Sequence, residues 1–297
     1  MTVKTQIPPS TNISVRMYRL QRLSKRALLY SILVLGAVLV LVPLAWSIST
    51  SLKTTTQALT FPPVWIPQPI VWRNYVDALT SMPFHIFYAN SLIIAVLRVL
   101  GVLISSSLVA YGFARLRFPG RHFLFILVLS TLMIPFQVLI IPRFVLFREL
   151  GWLDSLAPLI VPSFFGGGAL AIFLLRQYFM SIPTELDDAA KIDGCGPFAT
   201  FWRIVLPLSR PALGAVAVFE VLDTWDDFLG PLIYISSPEN FTVELGLNAM
   251  RTEYFTEWNL FMAASLVAMI VPISIFFVAQ KHFISGIAIA GSGGVKG

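Results

Sequence analysis

Four carboxylates crowd one apolar stretch: Glu220, Asp223, Asp226 and Asp227 all fall within residues 211–235. At about 100° per residue they share an arc of about 120° on a helix. A carboxylate at the centre of a bilayer costs about 2.5–3.5 kcal/mol on insertion scales, so four facing lipid would cancel much of the apolar gain. They must therefore face protein or water. In one reading the stripe lines a polar path, where it hydrogen-bonds the hydroxyls of a solute or attracts a cationic group. In another the acids are structural and pair with Arg98, the single basic residue inside a second apolar stretch. Gly230-Pro231 is expected to break the helix near its far end, freeing backbone groups that are tolerated only against protein or a wet cavity.

Other chemistry is missing. His85, His122 and His282 are scattered among different connections, so no metal site is expected. No paired His–carboxylate set and no nucleophile–base arrangement stands out. No G-x-x-x-x-G-K-[ST] phosphate loop occurs. Gly166-Gly167-Gly168 has no lysine after it, and the terminal Gly293-Gly294-Val295-Lys296-Gly297 has the wrong spacing. The first reads as close helix packing and the second as a flexible tail. The single Cys195 excludes an internal disulfide.

The elements that must position the acids follow from composition. The 297 residues are 57% apolar and 12% charged, with a mean hydropathy of +0.80. A soluble domain carries roughly twice that charged fraction, and could not cover so much apolar surface. Six stretches have the length of a membrane-spanning helix, near 28–49, 86–112, 122–142, 156–175, 211–235 and 260–280. None alternates like a barrel strand, so the fold class is all-α, a polytopic membrane protein. The apolar run 28–46 is too long for a signal peptide and is read as a retained first span.

Basic residues set the orientation. Residues 1–27 hold Lys4, Arg16, Arg19, Arg22, Lys25 and Arg26 and no acid. With Arg115, Arg117 and Arg121, then Arg176, Lys191, Arg203 and Arg210, then Lys281 and Lys296, one side carries fifteen of the 21 Lys and Arg. The opposite side has Lys53, Arg73, Arg143, Arg148 and Arg251. The positive-inside rule therefore puts both termini in the cytoplasm. The expected layout is a basic cytoplasmic segment 1–27, a transmembrane domain 28–284 and a cytoplasmic tail 285–297. The 51–84 connection, with Pro62, Pro63, Pro67, Pro69 and Pro83 around Trp65 and Trp72, reads as a stiff outer loop. The 236–259 connection adds Glu239, Glu244, Glu253 and Glu257 to that outer surface.

The connection 176–210 is far longer than the 2–8 residues usual in helical bundles. Thr184 and Asp187 form a capping-box candidate. Glu185, Asp187 and Asp188 then crowd a first helical turn, where the dipole favours acids. Gly194 supplies the stop. Gly196-Pro197 turns the chain into a second short helix, 198–206, ended at Pro207. The product is a helical hairpin with a small-residue surface of Ala189, Ala190 and Gly194.

Residues 185–194, ELDDAAKIDG, followed by 201–207, FWRIVLP, resemble the "EAA" loop of ABC-importer permeases. The likeness extends over nearly the whole chain. It includes Ser51-Leu52-Lys53, Asn74-Tyr75, Asn90-Ser91, the run 110–115, Ile134-Pro135, Thr224-Trp225 and Asp227-Phe228-Leu229. Together these resemble the second permease of the maltose/multi-sugar uptake branch, in a bacterial or archaeal plasma (inner) membrane. The resemblance implies four partners besides the bilayer: a homologous permease, two ATP-binding-cassette ATPase subunits and an extracytoplasmic solute-binding protein. No nucleic acid is involved. This chain would hold no cofactor, ATP and Mg being bound by the partner ATPase, and it would be a transport subunit rather than an enzyme. Glu185, Asp188, Ala189, Ala190, Asp193 and Gly194 would form the coupling helix, with Asp188 standing where the family more often has Glu. Glu220, Asp223, Trp225, Asp226 and Asp227 would belong to the solute pathway, for a sugar or sugar-like solute. Alternatively the acids pair with the partner permease. A proton-coupled secondary transporter driven through the acidic stripe is the competing reading, but it leaves the long hairpin unexplained.

Overall fold

A computed structural model of the chain describes residues 11–251 and 256–278, with side chains described from residue 22. Most of the basic N-terminal segment, Lys281, His282, Lys296, Glu253 and the tail 285–297 lie outside the described side chains. Among the described residues the structure is helical, with no strand. Four helices are long and apolar enough to cross a membrane, Arg22–Ser51, Phe84–Arg115, Ala157–Ser181 and Trp258–Val278, or up to six if each of two bent pairs is one span.

The helices are α1 (Thr11–Ser51), α2 (Arg73–Thr80), α3 (Phe84–Arg115), α4 (Arg121–Ser130) and α5 (Phe136–Glu149). Next come α6 (Ala157–Ile160), α7 (Ala169–Ser181), α8 (Glu185–Ile192) and the composite α9 (Pro197–Leu208). The series ends with α10 (Arg210–Trp225), α11 (Leu229–Tyr234), α12 (Val243–Ala249) and α13 (Trp258–Val278). Helix α3 is the axis of the bundle, packing α7 along one side and α10 along another. Tyr111, Phe113, Leu175, Phe179, Phe201 and Val205 fill the core between them.

Three expectations about continuity are corrected. The third apolar stretch is bent by 97° between 121–133 and 136–149. Ile134 is extended, with ψ 113°, as the residue before a proline prefers, and Pro135 has no N–H to continue the ladder. The fourth is interrupted: Gly166-Gly167-Gly168 is a non-helical link before α7, not a packing face inside a helix. The fifth ends at Trp225, and Gly230-Pro231 lies inside α11 instead of breaking a helix. Pro231 sits in the first turn of α11, where a missing N–H costs nothing. Asp227 Oδ1 accepts the Gly230 N–H at 2.9 Å and starts that helix.

Close packing does occur at the glycine link. Gly167 has φ +58°, and a Cβ there would collide with Ser106 Oγ. Gly167→Ala is expected to destabilise the protein by about 1–3 kcal/mol, from left-handed strain and overpacking. Gly112→Ala, with open space at its Cβ, is the matched control. Thermal unfolding in detergent should separate the two.

The two ends of the described chain meet. Helix α13 packs against α1 and α2. Asn74 donates to the carbonyls of Ser51 and Lys53 at 2.8 and 2.7 Å, and its Oδ1 accepts from Asn259 at 3.3 Å. Lys53 is fully buried, its ammonium 3.8 Å from the centroid of Trp46, which itself meets Trp65 edge to face at 5.0 Å. Burial lowers the Lys53 pKa. Trp65 and Trp72 are both exposed, Trp65 keeping its edge contact with Trp46. The rest of α1 leaves its apolar surface uncovered by the chain itself, its candidate span being wholly unburied.

Candidate translocation cleft and coupling loop

Two sites emerge, one at the end of α10 and one in the 176–210 connection. Glu220 and Asp223 are one turn apart on α10 and share a face. Asp226 caps the helix end, and Asp227 lies in the break before α11. The single helical stripe is therefore half helix and half link, but three of its four acids still converge on Arg98 of α3. Arg98 Nη2 lies 2.5 Å from Asp223 Oδ2, Nε 3.7 Å from Glu220 Oε2 and Nη1 3.8 Å from Asp227 Oδ2. Asp226 has no ion-pair partner among the described residues.

All five groups line a cleft of about 720 Å³, together with Arg143, Phe136, Gly167 and Gly168. Non-helical backbone at Gly166-Gly167-Gly168 is tolerated there because it borders a polar space. The lining holds four acids against two guanidinium groups, an excess of negative charge. Arg143 entered the sequence reading only as an outer basic residue. No local signal ties it to the acids, because its place depends on the bend before α5.

Asp226 also borders a smaller cleft of about 370 Å³, with Trp225, Phe228, Glu244, Arg251 and Phe261. Trp225 is 5% exposed and packs on Tyr88 at 5.9 Å. It bounds the cleft as part of a core cluster. Glu244, grouped by sequence with the outer acids, is half-buried here, and burial and the nearby Asp226 raise its pKa. Another missed residue is Asp154, at φ +56°. Its carboxylate accepts the N–H groups of Ser236 and Ser237 at 3.0 and 2.8 Å and the Ser237 hydroxyl. Those bonds hold its pKa at about 2, so the carboxylate stays charged and clasps this loop at any physiological pH.

The hairpin in the long connection forms as expected in outline. Helix α8 carries Glu185, Asp187 and Asp188 in its first turn. The expected capping box does not form: Thr184 is itself helical and its side chain makes no cap bond. Gly194, at φ +77°, ends α8. Cys195 N–H donates to the Ala190 carbonyl and Gly194 N–H to that of Lys191, at 2.8 and 3.0 Å, a Schellman closure. The second helix does not stop at Pro207 but runs to Leu208 through a π turn at Phe201–Val205. The wider turn relieves the clash of the Pro207 ring with the preceding turn.

Glu185, Asp188, Ala189, Asp193 and Gly194 are exposed, while Ala190 is 3% exposed and packs inward. The small-residue surface is thus reduced to Ala189 and Gly194. Asp188 pairs with Lys191 at 2.9 Å, both exposed. Apolar side chains project beside them: Ile192 is 87% exposed, and Phe198 and Trp202 stand out nearby.

Residues 101–289 match the family model described as binding-protein-dependent transport system inner membrane component. The chain is 36% identical to a probable ABC transporter permease protein of Pyrococcus horikoshii, over 74% of this chain and 80% of that one. It is 37% identical to the arabinooligosaccharides transport system permease protein of Bacillus subtilis, over 78% and 81%. It is 34% identical to the sn-glycerol-3-phosphate transport system permease protein of Yersinia enterocolitica, over 86% and 93%. Its fold is similar to a chain in the crystal structure of a bacterial ABC transporter involved in import of the acidic polysaccharide alginate. That match has a TM-score of 0.76 and 24% identity, covering 93% of this chain and all of that one.

Proposed function

The chain belongs to the family of binding-protein-dependent transport system inner membrane components, and from that premise we propose how it divides its work. It is a membrane-embedded permease subunit of an ABC importer, a transport component and not an enzyme, with ATP hydrolysis on a separate chain. In our reading the bent pair 121–133 and 136–149 is one span and α10 with α11 is another, giving six spans in the domain 28–284. The excess of Lys and Arg on one side supports cytoplasmic termini. ATP and Mg belong to the partner ATPase.

The observation that carries the coupling reading is α8: an ordered, capped, solvent-facing helix in a connection that needs no helix to join two spans. It presents Glu185, Asp188, Ala189, Asp193 and Gly194 outward, while Ala190 seats the helix on the chain itself. With the exposed Ile192, Phe198 and Trp202, the 183–207 loop offers an acidic and apolar surface for an ATP-binding-cassette subunit. The Arg98 cleft is this chain's half of the pathway, completed by a homologous permease and supplied by a solute-binding protein. Glu220 and Asp227 hold Arg98, Asp223 both holds Arg98 and faces the cleft, Asp226 faces solute, and Trp225 forms the wall. Excess negative charge among hydrogen-bonding groups suits a neutral or amino-substituted sugar better than an anionic one. A proton-driven carrier is set aside by family membership.

Ile192→Asp is the direct test of the docking surface. Burying an isoleucine contributes about 1.5–3 kcal/mol, so ATPase retention on the purified permease should weaken roughly tenfold to a hundredfold. Membrane insertion should be unaffected, because Ile192 touches solvent. Undiminished co-purification of the ATPase would remove α8 from the docking surface.

A further inference from the structure

We infer that Arg115, at the end of α3, is the positioning residue that makes the coupling loop and the cleft move as one body. The inference rests on the permease reading above. Its geometry is independent of that reading.

Arg115 is the last residue of α3. Its side chain is only 5% exposed, and Nη1 lies 3.0 Å from Asp187 Oδ2 of α8. Nη2 donates to the carbonyls of Phe179 and Ile182, at 2.7 and 2.6 Å. The first lies in the last turn of α7 and otherwise accepts only a long bond from the Ile182 N–H at 3.3 Å, and the second belongs to the residue just past the helix. One planar guanidinium therefore ties together α3, the end of α7 and the start of α8, a geometry that lysine cannot reproduce. One turn earlier, the Tyr111 hydroxyl donates to the Pro197 carbonyl at 2.9 Å and so holds the second helix of the hairpin. Both halves of the loop are thus fastened to α3 by side chains of α3.

The same helix carries Arg98, seventeen residues before Arg115, or about 25 Å along a helix rising 1.5 Å per residue. Near its other end Asn90 Nδ2 donates to the carbonyls of Glu239 and Phe241 at 2.8 and 3.0 Å, and the Ser91 hydroxyl accepts the Val243 N–H at 2.9 Å. Helix α3 is continuous, without an internal proline, and joins by polar side chains three places far apart in sequence. A push on α8 that reaches Asp187 is delivered to Arg115, and through a rigid helix to the acids around Arg98. Without the guanidinium, α8 would still dock its ATPase but would ride on a loosened hinge.

The experiment uses the complete membrane complex with its ATPase subunits, in a Cys195→Ser background with Phe136→Cys as a cleft reporter. MgATP hydrolysis and the rate at which a thiol reagent labels the reporter are measured, without nucleotide and after trapping with ATP and vanadate. In Arg115→Gln, hydrolysis should stay within about twofold of the parent, while the nucleotide-driven change in labelling shrinks by roughly threefold to thirtyfold. Asp187→Asn, which leaves the carbonyl bonds of Arg115 intact, should lose part of that response. A full labelling response in both variants would overturn the inference. So would parallel loss of assembly and hydrolysis in both, which would make the contact a folding element alone. A parent chain that retains no ATPase would instead overturn the permease reading.

Discussion

Arg98→Gln is expected to lower the thermal midpoint of the detergent-solubilised protein by about 3–5 °C. Three carboxylates lie within 4 Å of this guanidinium, and no other cation pairs with them among the described residues. Removing one member of a buried ion pair costs about 3–5 kcal/mol, because the remaining charge is left without compensation. Arg98 and Asp223 border an open cleft, and solvent there reduces the loss to about 2–3 kcal/mol. Adding Asp223→Asn to Arg98→Gln removes the closest uncompensated charge and should restore part of the midpoint. An unchanged midpoint in the single variant would mean that water already balances these acids, and that Arg98 is not their structural counter-charge.

Asp226→Asn should show the opposite profile. Asp226 is exposed and unpaired, so its neutralisation should leave stability within about 0.5 kcal/mol. A carboxylate bonded to a solute hydroxyl contributes about 1.5–3 kcal/mol. Solute-stimulated ATP hydrolysis and uptake should therefore fall by roughly tenfold to a hundredfold. Asp223→Asn should reduce both stability and uptake, because Asp223 serves Arg98 and the cleft together. Comparing the two variants by uptake in proteoliposomes and by thermal midpoint separates pathway from scaffold. Unchanged transport in both would take the stripe out of the pathway.

Much of this was legible in sequence because it depends on local chemistry. The span of α3, the acid-rich start of α8 and the left-handed stop at Gly194 each follow from residues within a few positions of one another. The link of Arg98 to the acids was legible as one of two alternatives, since a lone charge in a span needs a partner. What was hidden depends on contacts distant in the chain or on a local backbone conformation that the residue types do not dictate. The helix around the acids ends at Trp225 because Asp227 starts α11 instead of continuing α10. Arg143 reaches the cleft only because of the 97° bend after Met133. Thr184 looked like a cap, but the backbone is already helical there, and its hydroxyl has no cap bond to make. The inward turn of Ala190, and with it the reduced small-residue face of α8, depends on how α8 is held in the fold, with Asp187 paired to Arg115, and not on any feature of the motif itself.

The meeting of α1 with α13 has a consequence for how the protein is made. Helix α1 is made before the helix it packs against and lies with almost all of its apolar surface uncovered. Helix α13, which packs against it, follows about 200 residues later, a wait on the order of 10–40 s at typical rates of synthesis. During that interval the uncovered surface of α1 faces lipid or an insertion chaperone. Closure waits for α13, so a product stalled before it is left with a conspicuous uncovered helix. Quality control in the membrane thereby has an uncovered α1 by which to recognise chains stalled before α13.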